Sequence, residues 1–460
     1  MVWRPANLEG LLKHIFGIPG KLLQHAKMLR ADPELLGRNL AQITNPRLFE
    51  ERLADMYNAQ PMHVRHSTDP QTPASLNVLD SNWSMLGMTG GPNTVVNLIC
   101  RIAKLGVSVR LVSTSAPASI DPAWFRAHAQ NLLGGGDVPA ISISSAADPD
   151  HPLPIGPRDM FLATHWSTAQ QLAAVLPTLP IQQFFYMLQE FEPGFYGWSS
   201  NFARAIETYG LDFWPIINQS LLAEFLLAQS FGRLTDPVIR QRAMIFEPAV
   251  DAAIFYPAAP TSGDAPLSPG RPKRLLFYAR PTNARNMFGL GLTALRQAAA
   301  DPAFAGWEFL SIGSRGSVPA LDLGHGHTLR QAPWVNYAGY GDMLRRADLL
   351  LCPMLSPHTS YPVLEMAACG GLAVTNVFAS KTAAALAAIT PQIIAVPATI
   401  AGFSAGLIQG AQRINTCHSQ TLSPTLNLPR DWASSLDPIA CRLAAVFADL
   451  TTAQPPLRAP

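Results

Sequence analysis

Two arginines, Arg280 and Arg285, follow an apolar run at Arg274 to Tyr278 and precede a helical stretch that begins near Asn286. Guanidiniums at the carboxyl end of a strand offer planar donor forks to phosphate, and a pair suits a diphosphate whose charge must be neutralised as it leaves. Two solvated loop arginines have the same spelling. Further on, Leu349 to Thr375 (LLLCPMLSPHTSYPVLEMAACGGLAVT) reads as a buried strand, a polar loop, a helix opened by Pro362, a Gly370-Gly371 stop and another strand. Proline suits a first helical turn, where its missing N–H is no loss, and the free N–H groups there form an anion seat backed by the helix dipole. Glu365 lies about one turn into that helix, placed either to accept hydrogen bonds from sugar hydroxyls or merely to complement the helix N terminus.

The first half of the chain offers three more candidate turns. Gly87-Met-Thr-Gly90-Gly91-Pro92-Asn93 precedes a helix expected from Thr94 to Gly106, so its backbone can approach a ligand that side chains would block. Its spacing is not Gly-x-Gly-x-x-Gly, and a plain tight turn is the competing reading. His165 closes the strand Met160 to Thr164 beside Trp166, either facing a cleft or packed as an ordinary core histidine. Gln189, Glu190 and Glu192 end the next strand, where a carboxylate can bind hydroxyls or act as a base, or simply face solvent.

Other chemistries fit poorly. Asp148-Pro-Asp150 imitates a metal-binding acidic pair but sits among prolines (DPDHPLP) and reads as a turn, so no metal site is expected. There is no His-x-x-x-His or Gly-x-Ser-x-Gly element, and Gly313-Ser314-Arg315-Gly316 lacks the lysine of a nucleotide-binding P-loop. A nicotinamide cofactor needs an acid after the next strand, and Val107 to Ser115 (VSVRLVSTS) has none. No cofactor is therefore expected.

The elements that must hold these turns follow from composition and punctuation. Of 460 residues, 48% are hydrophobic and only 14% charged, which implies large buried faces. The net charge of +2 provides no field to hold a nucleic-acid backbone. Five dispersed cysteines (Cys100, Cys352, Cys369, Cys417, Cys441) suit free thiols in a reducing compartment, and no run has the length of a membrane span or the form of a secretory signal. The expected location is the cytoplasm. Lys21 to Arg38 reads as an amphipathic helix packed on the domain, with peripheral attachment to an anionic membrane face as the alternative.

Strand-length runs alternate with helical stretches on both sides of a Pro/Gly-rich segment between Tyr256 and Lys273, which predicts two doubly wound α/β domains with parallel sheets facing across a cleft. The expected divisions are 1–75, an N-terminal helical extension; 76–256, a Rossmann-like domain; 257–273, a linker; 274–430, a second Rossmann-like domain; and 431–460, a helix from Pro438 to Ala448 with a tail, returning to the first domain. Ligands of such sheets lie beyond the carboxyl ends of the strands.

Taken together, the Arg280 and Glu365 stretches resemble the C-terminal half of retaining GT-B glycosyltransferases. In that group a Gly-Arg-x4-Lys element binds the donor diphosphate, and Arg280-x4-Arg285 keeps its spacing with Ala279 for glycine and arginine for lysine. The framing Glu-x7-Glu pattern keeps its second acid at Glu365, but its first falls on Pro357, which cannot make the usual contact to the sugar. The strings LRRADLLLCPML, SPHTSYPVLEMAACGG, DMFLATHWSTA, FFYMLQEFEPGFY, RAIETYG and FEPAVDAAIFYP look similar to WsaF-type rhamnosyltransferases, over about Leu86 to Gly406.

The resemblance implies a metal-independent transferase taking a sugar from a nucleotide diphosphate donor, L-rhamnose from a deoxythymidine diphosphate donor above all, to a growing glycan or lipid-linked glycan. It places Arg280, Arg285, Gly313, Ser360 and Tyr361 on the donor diphosphate side, and Glu365 on the nucleotide sugar. His165, Gly90 and Gly91 then position the transferred sugar, and Gln189, Glu190 and Glu192 the acceptor. Two rivals stay open. One is a degenerate subunit that binds glycan or nucleotide sugar without turnover; the other is a sugar-nucleotide epimerase of the same fold.

Overall fold

The computed structural model describes residues 61–452 apart from 68, 70, 89, 258–270, 315–318 and 417–424. The expected Lys21 to Arg38 helix, most of the 1–75 extension and of the 257–273 linker, Arg315, Gly316 and Cys417 lie outside the described residues. All that follows concerns one compact unit of the chain, which holds both sheets.

Its first lobe runs β1 (Val64–His66), β2 (Ser75–Asp80), α1 (Gly90–Lys104), β3 (Ser108–Ser113), α2 (Pro122–Leu132), β4 (Ile141–Ser145), β5 (Leu153–Ile155), β6 (Met160–Ala163) and α3 (Trp166–Val175). It continues through β7 (Phe184–Leu188), α4 (Ser200–Glu207), β8 (Phe213–Asn218), α5 (Ser220–Ala228), α6 (Pro237–Arg242) and β9 (Met244–Phe246). The main sheet has the order β4-β3-β2-β6-β7-β8-β9, with every pairing parallel. Central strands such as Phe184–Leu188 are apolar without alternation because helices cover both faces.

The second lobe runs β10 (Arg274–Tyr278), α7 (Phe288–Ala299), β11 (Glu308–Ile312), β12 (Leu321–Gly324), β13 (His327–Gln331), α8 (Tyr337–Arg345), β14 (Leu349–Leu351) and α9 (Tyr361–Ala368). It ends with β15 (Leu372–Asn376), α10 (Ala383–Ile389), β16 (Ile393–Val396) and α11 (Ile400–Thr416), and is followed by α12 (Trp432–Thr452). Its sheet has the order β12-β13-β11-β10-β14-β15-β16. The expectation of a wholly parallel sheet fails at one edge, where β12 and β13 are antiparallel. Their turn is Gly324, His325 and Gly326, all at positive φ, a conformation glycine reaches without steric cost.

In each sheet the strand order reverses once, between β2 and β6 and between β10 and β14. Successive crossovers leave these pairs toward opposite edges, so a crevice opens beyond their carboxyl ends.

Three helix starts differ from the sequence reading. Gly90 and Gly91 are the first residues of α1 rather than a loop before Thr94, since Pro92 in the first turn forfeits no helical hydrogen bond. Tyr361, not Pro362, opens α9. Helix α12 begins at Trp432 and carries Pro438 inside it, and its packing offsets the lost bond. Leu436, Ile439, Ala440, Leu443 and Phe447 share one core cluster with Val95, Leu98, Ile99 and Ile102 of α1, and Arg101 Nε lies 2.8 Å from Asp437. The last helix thus packs on the first lobe.

Leu443→Ala in this fully buried contact is expected to cost ~2–5 kcal/mol of stability, read as a lower midpoint in urea unfolding; an unchanged midpoint would show that α12 is not part of the cooperative core.

Candidate functional site

The crevice of the second lobe is set by register. Because Phe277 pairs with Leu351, the segments that follow β10 and β14 leave the sheet side by side. Arg280 lies on the first of them. Gly313, at the end of neighbouring β11, has φ 94°, and a Cβ there would fall 2.9 Å from the Tyr278 ring and 3.3 Å from Arg280 Cγ. Glycine is what lets the arginine stem lie against the strand end.

Tyr278 links this corner to α9: burial raises its hydroxyl pKa, Arg280 offsets part of that, and Cys352 and Glu365 add to it. Glu365 is buried, accepts a hydrogen bond from Tyr337 Oη at 3.4 Å, and is pushed by burial up to about 7. It therefore does not sit free at the helix tip; tyrosines of α8 enclose it.

The tip of α9 is partly occupied by its own loop. Ser360 has φ 77°, and its N–H donates to His358 Nδ1 at 3.0 Å, so the expected availability of that amide for a diphosphate is corrected. Tyr361 reaches across to the first lobe. A Cβ on Gly90 would meet its ring at 3.6 Å, and its hydroxyl accepts from Asn218 Nδ2 at 2.8 Å and lies 3.4 Å from Thr94 Oγ1. Gly90 thus faces the Tyr361 ring, and Gly91 faces Gln189, whose Nε2 would lie 3.4 Å from a Cβ there.

In the first lobe, His165 is the N-cap of α3 rather than a plain strand end. Its Nδ1 accepts from Ser167 N at 3.3 Å, and its Nε2 lies 3.9 Å from Glu192 Oε2. Burial drives the imidazole down to about 4, so it is neutral at pH 7. Glu192 is turned inward: Oε2 accepts the Trp166 N–H at 2.6 Å, and burial pushes the carboxyl up to about 8. The expectation that Glu192 faces an acceptor is corrected, because a protonated acid that anchors the start of α3 is no solvent-facing base at neutral pH.

Glu190 and Arg285 also depart from their expected settings, since they meet each other. Glu190 accepts from Ser356 Oγ, and its Oε2 lies 3.7 Å from Arg285 Nε. Arg285 also covers the Phe195 ring at 4.2 Å and donates to Asn283 at 3.0 Å. The two arginines are thus divided in the arrangement seen: Arg280 stays at the strand end while Arg285 engages the opposite lobe.

More seam residues escaped the sequence reading. Gln219, at φ 85°, accepts from Thr359 N at 2.8 Å and Thr359 Oγ1 at 2.9 Å. His358 is buried with no partner at Nε2, and fully buried Lys381 donates to Met354 O at 2.7 Å. Burial lowers His358 to about 4 and Lys381 to about 8. The signal available was polar residues clustered at strand ends, in Asn218-Gln219 and Ser356-Pro357-His358-Thr359. The Asp148 side chain closes its own turn, onto Asp150 N at 2.9 Å and His151 Nδ1 at 2.8 Å. Among the described residues no group of three or more His, Cys, Asp or Glu is placed to hold a metal, and no helix is long and apolar enough to cross a membrane.

Residues 76–218 match the family model for the N-terminal domain of WsaF, and residues 273–408 that for its C-terminal domain. The O-antigen biosynthesis protein RfbC of Myxococcus xanthus is 33% identical over 226 residues, 47% of this chain. The chain spans 15% of the length of that relative. Among solved structures, sucrose-phosphate synthase from Thermosynechococcus elongatus superposes with a TM-score of 0.51 at 12% identity, covering 83% of this chain and 100% of that one. The catalytic domain of Arabidopsis thaliana starch synthase IV, bound to ADP and acarbose, gives 0.49 at 11% identity, with 83% and 100% covered. The first of these shows a shared GT-B fold.

Glu365 supplies a pH test. A carboxyl with a raised folded pKa favours the folded state at low pH, and that contribution is lost as pH climbs from the unfolded value near 4.3 to about 7. Glu365→Gln is expected to make stability fall less steeply between pH 5 and 7, by about 1 kcal/mol per pH unit, in denaturant melts across that range. Parallel profiles for the two proteins would show that Glu365 titrates normally.

Proposed function

This chain belongs to the WsaF family of GT-B glycosyltransferases, and we propose that it transfers L-rhamnose from a deoxythymidine diphosphate donor to a growing bacterial surface polysaccharide, without a metal ion. The supporting observation is the crevice at the β10/β14 switch point, where Arg280, Gly313, the tip of α9 and Glu365 converge. Arg280 neutralises the departing diphosphate. Arg285 joins it once released from Glu190, and Glu365 accepts a hydrogen bond from the nucleotide sugar through its one free hydroxyl. Neutral His165 positions the transferred ring, and Glu190 takes acceptor hydroxyls. With stereochemistry retained, the acceptor hydroxyl attacks on the leaving-group face and the diphosphate takes its proton, so no protein nucleophile is required. Closure of the lobes excludes water and limits donor hydrolysis.

Pro357 at the place of the framing glutamate favours one second reading, a subunit that binds nucleotide sugar without turning it over. Nucleotide release in the presence of a rhamnan acceptor separates the two.

In a thermal-shift panel, deoxythymidine diphosphate is expected to stabilise the protein more than uridine or guanosine diphosphate, by about 2.7 kcal/mol at one hundred times its dissociation constant. Indifference to all three would defeat the donor assignment. Arg280→Ala is expected to weaken nucleotide binding by about tenfold to a hundredfold, the loss of a charge-assisted phosphate contact, measured by calorimetric titration. Chelation with EDTA is expected to leave turnover unchanged; a loss restored by added Mg²⁺ would overturn metal independence.

A further inference from the structure

Beside the seam lies a cavity of about 240 Å³ whose wall is largely aromatic: Tyr196, Trp198 and Phe202 from the first lobe and Phe378 from the second. Glu190, Arg285 and Ser356 also line it. Trp198 is 93% exposed, and its indole lies parallel to the Phe202 ring, 5.9 Å away, so a flat apolar face is held open to solvent. Large exposed indoles are costly unless something covers them.

We propose that this cavity seats the terminal pyranose of the glycan acceptor, with Trp198 as its stacking platform. The proposal rests on the glycosyltransferase reading above and deepens it. A pyranose presents C–H groups on its faces and hydroxyls around its rim. An aromatic wall receives the former, and a carboxylate, a guanidinium and a hydroxyl on one side receive the latter. A sugar hydroxyl can replace Ser356 Oγ on Glu190, so the buried carboxylate keeps a donor when the ring enters. Arg280, Gly313 and Glu365 line no part of this space, which separates it from the donor crevice, while Arg285 and Pro357 border it. The exposed Trp198 end leaves room for the remainder of a glycan chain to run into solvent.

The test is saturation-transfer NMR on the full chain with methyl α-L-rhamnopyranoside and methyl α-D-glucopyranoside at ~10 mM, because a single ring binds weakly. Saturation of ring C–H protons that falls at least ~fivefold in Trp198→Ala and in Tyr196→Ala is expected, as for anchor residues of an interface. The deoxythymidine diphosphate thermal shift of Trp198→Ala should match that of the native protein. Equal saturation in native and Trp198→Ala proteins overturns the subsite, as does no saturation with either glycoside. The native protein's nucleotide shift reports on the donor reading separately, so either can fail alone.

Discussion

A carboxylate from one lobe is buried against a cation and a hydroxyl from the other. Glu190, with its partners Ser356 and Arg285, is the contact around which the rest of the seam is arranged. Removing a charge from water costs several kcal/mol unless it is paired and hydrogen-bonded, so once the lobes close, each of these groups needs the others. The same contact divides the labour of the two arginines. Arg280 keeps its place at a strand end, fixed by a glycine too small to displace it, while Arg285 is held by an acid that must let go before it can serve an anion.

Around that contact the seam stores strain and leaves polar groups unmet. Gln219 and Ser360, on opposite sides, both take positive φ without being glycine, and each is held there by hydrogen bonds to the 358–359 loop. Backbone in that region costs of order 1–3 kcal/mol per residue and persists where surroundings over-determine it. Buried Gln189 Oε1, Asn218 Oδ1, Gln219 Nε2 and His358 Nε2 have no protein partner. A binding crevice has this character, because its hydrogen bonds are completed only when a ligand arrives.

Much of the scaffold was legible beforehand. Apolar runs in the central strands fixed the doubly wound alternation, and strand ends marked the turns. The β12–β13 hairpin was not, since its two short strands are broken by Gly324 and Gly326 and carry no clear period. The helix starts shifted by a few residues because proline was read as the first residue when it stands second or third in α1 and α9. The site was legible only in part. Arg280 and Glu365 could be placed by their position along an element. The roles of Glu192, Arg285 and Ser360 depend on partners that spacing does not encode: Glu192 on the start of α3, Arg285 on an acid of the other lobe, Ser360 on its neighbour His358.

Helix α12 returns to the first lobe, so the polypeptide passes between the lobes twice, and the two passages touch. Val250 N donates to Pro429 O at 2.9 Å, and Ala252 N to Arg430 O at 3.0 Å. A molecule joined by one tether can swivel and slide; joined by two tethers laced side by side, it behaves like a door on its pins, swinging about the line they define. The jaw therefore reopens along the same arc by which it shut, and every residue on its biting edge meets the same opposite number on each stroke.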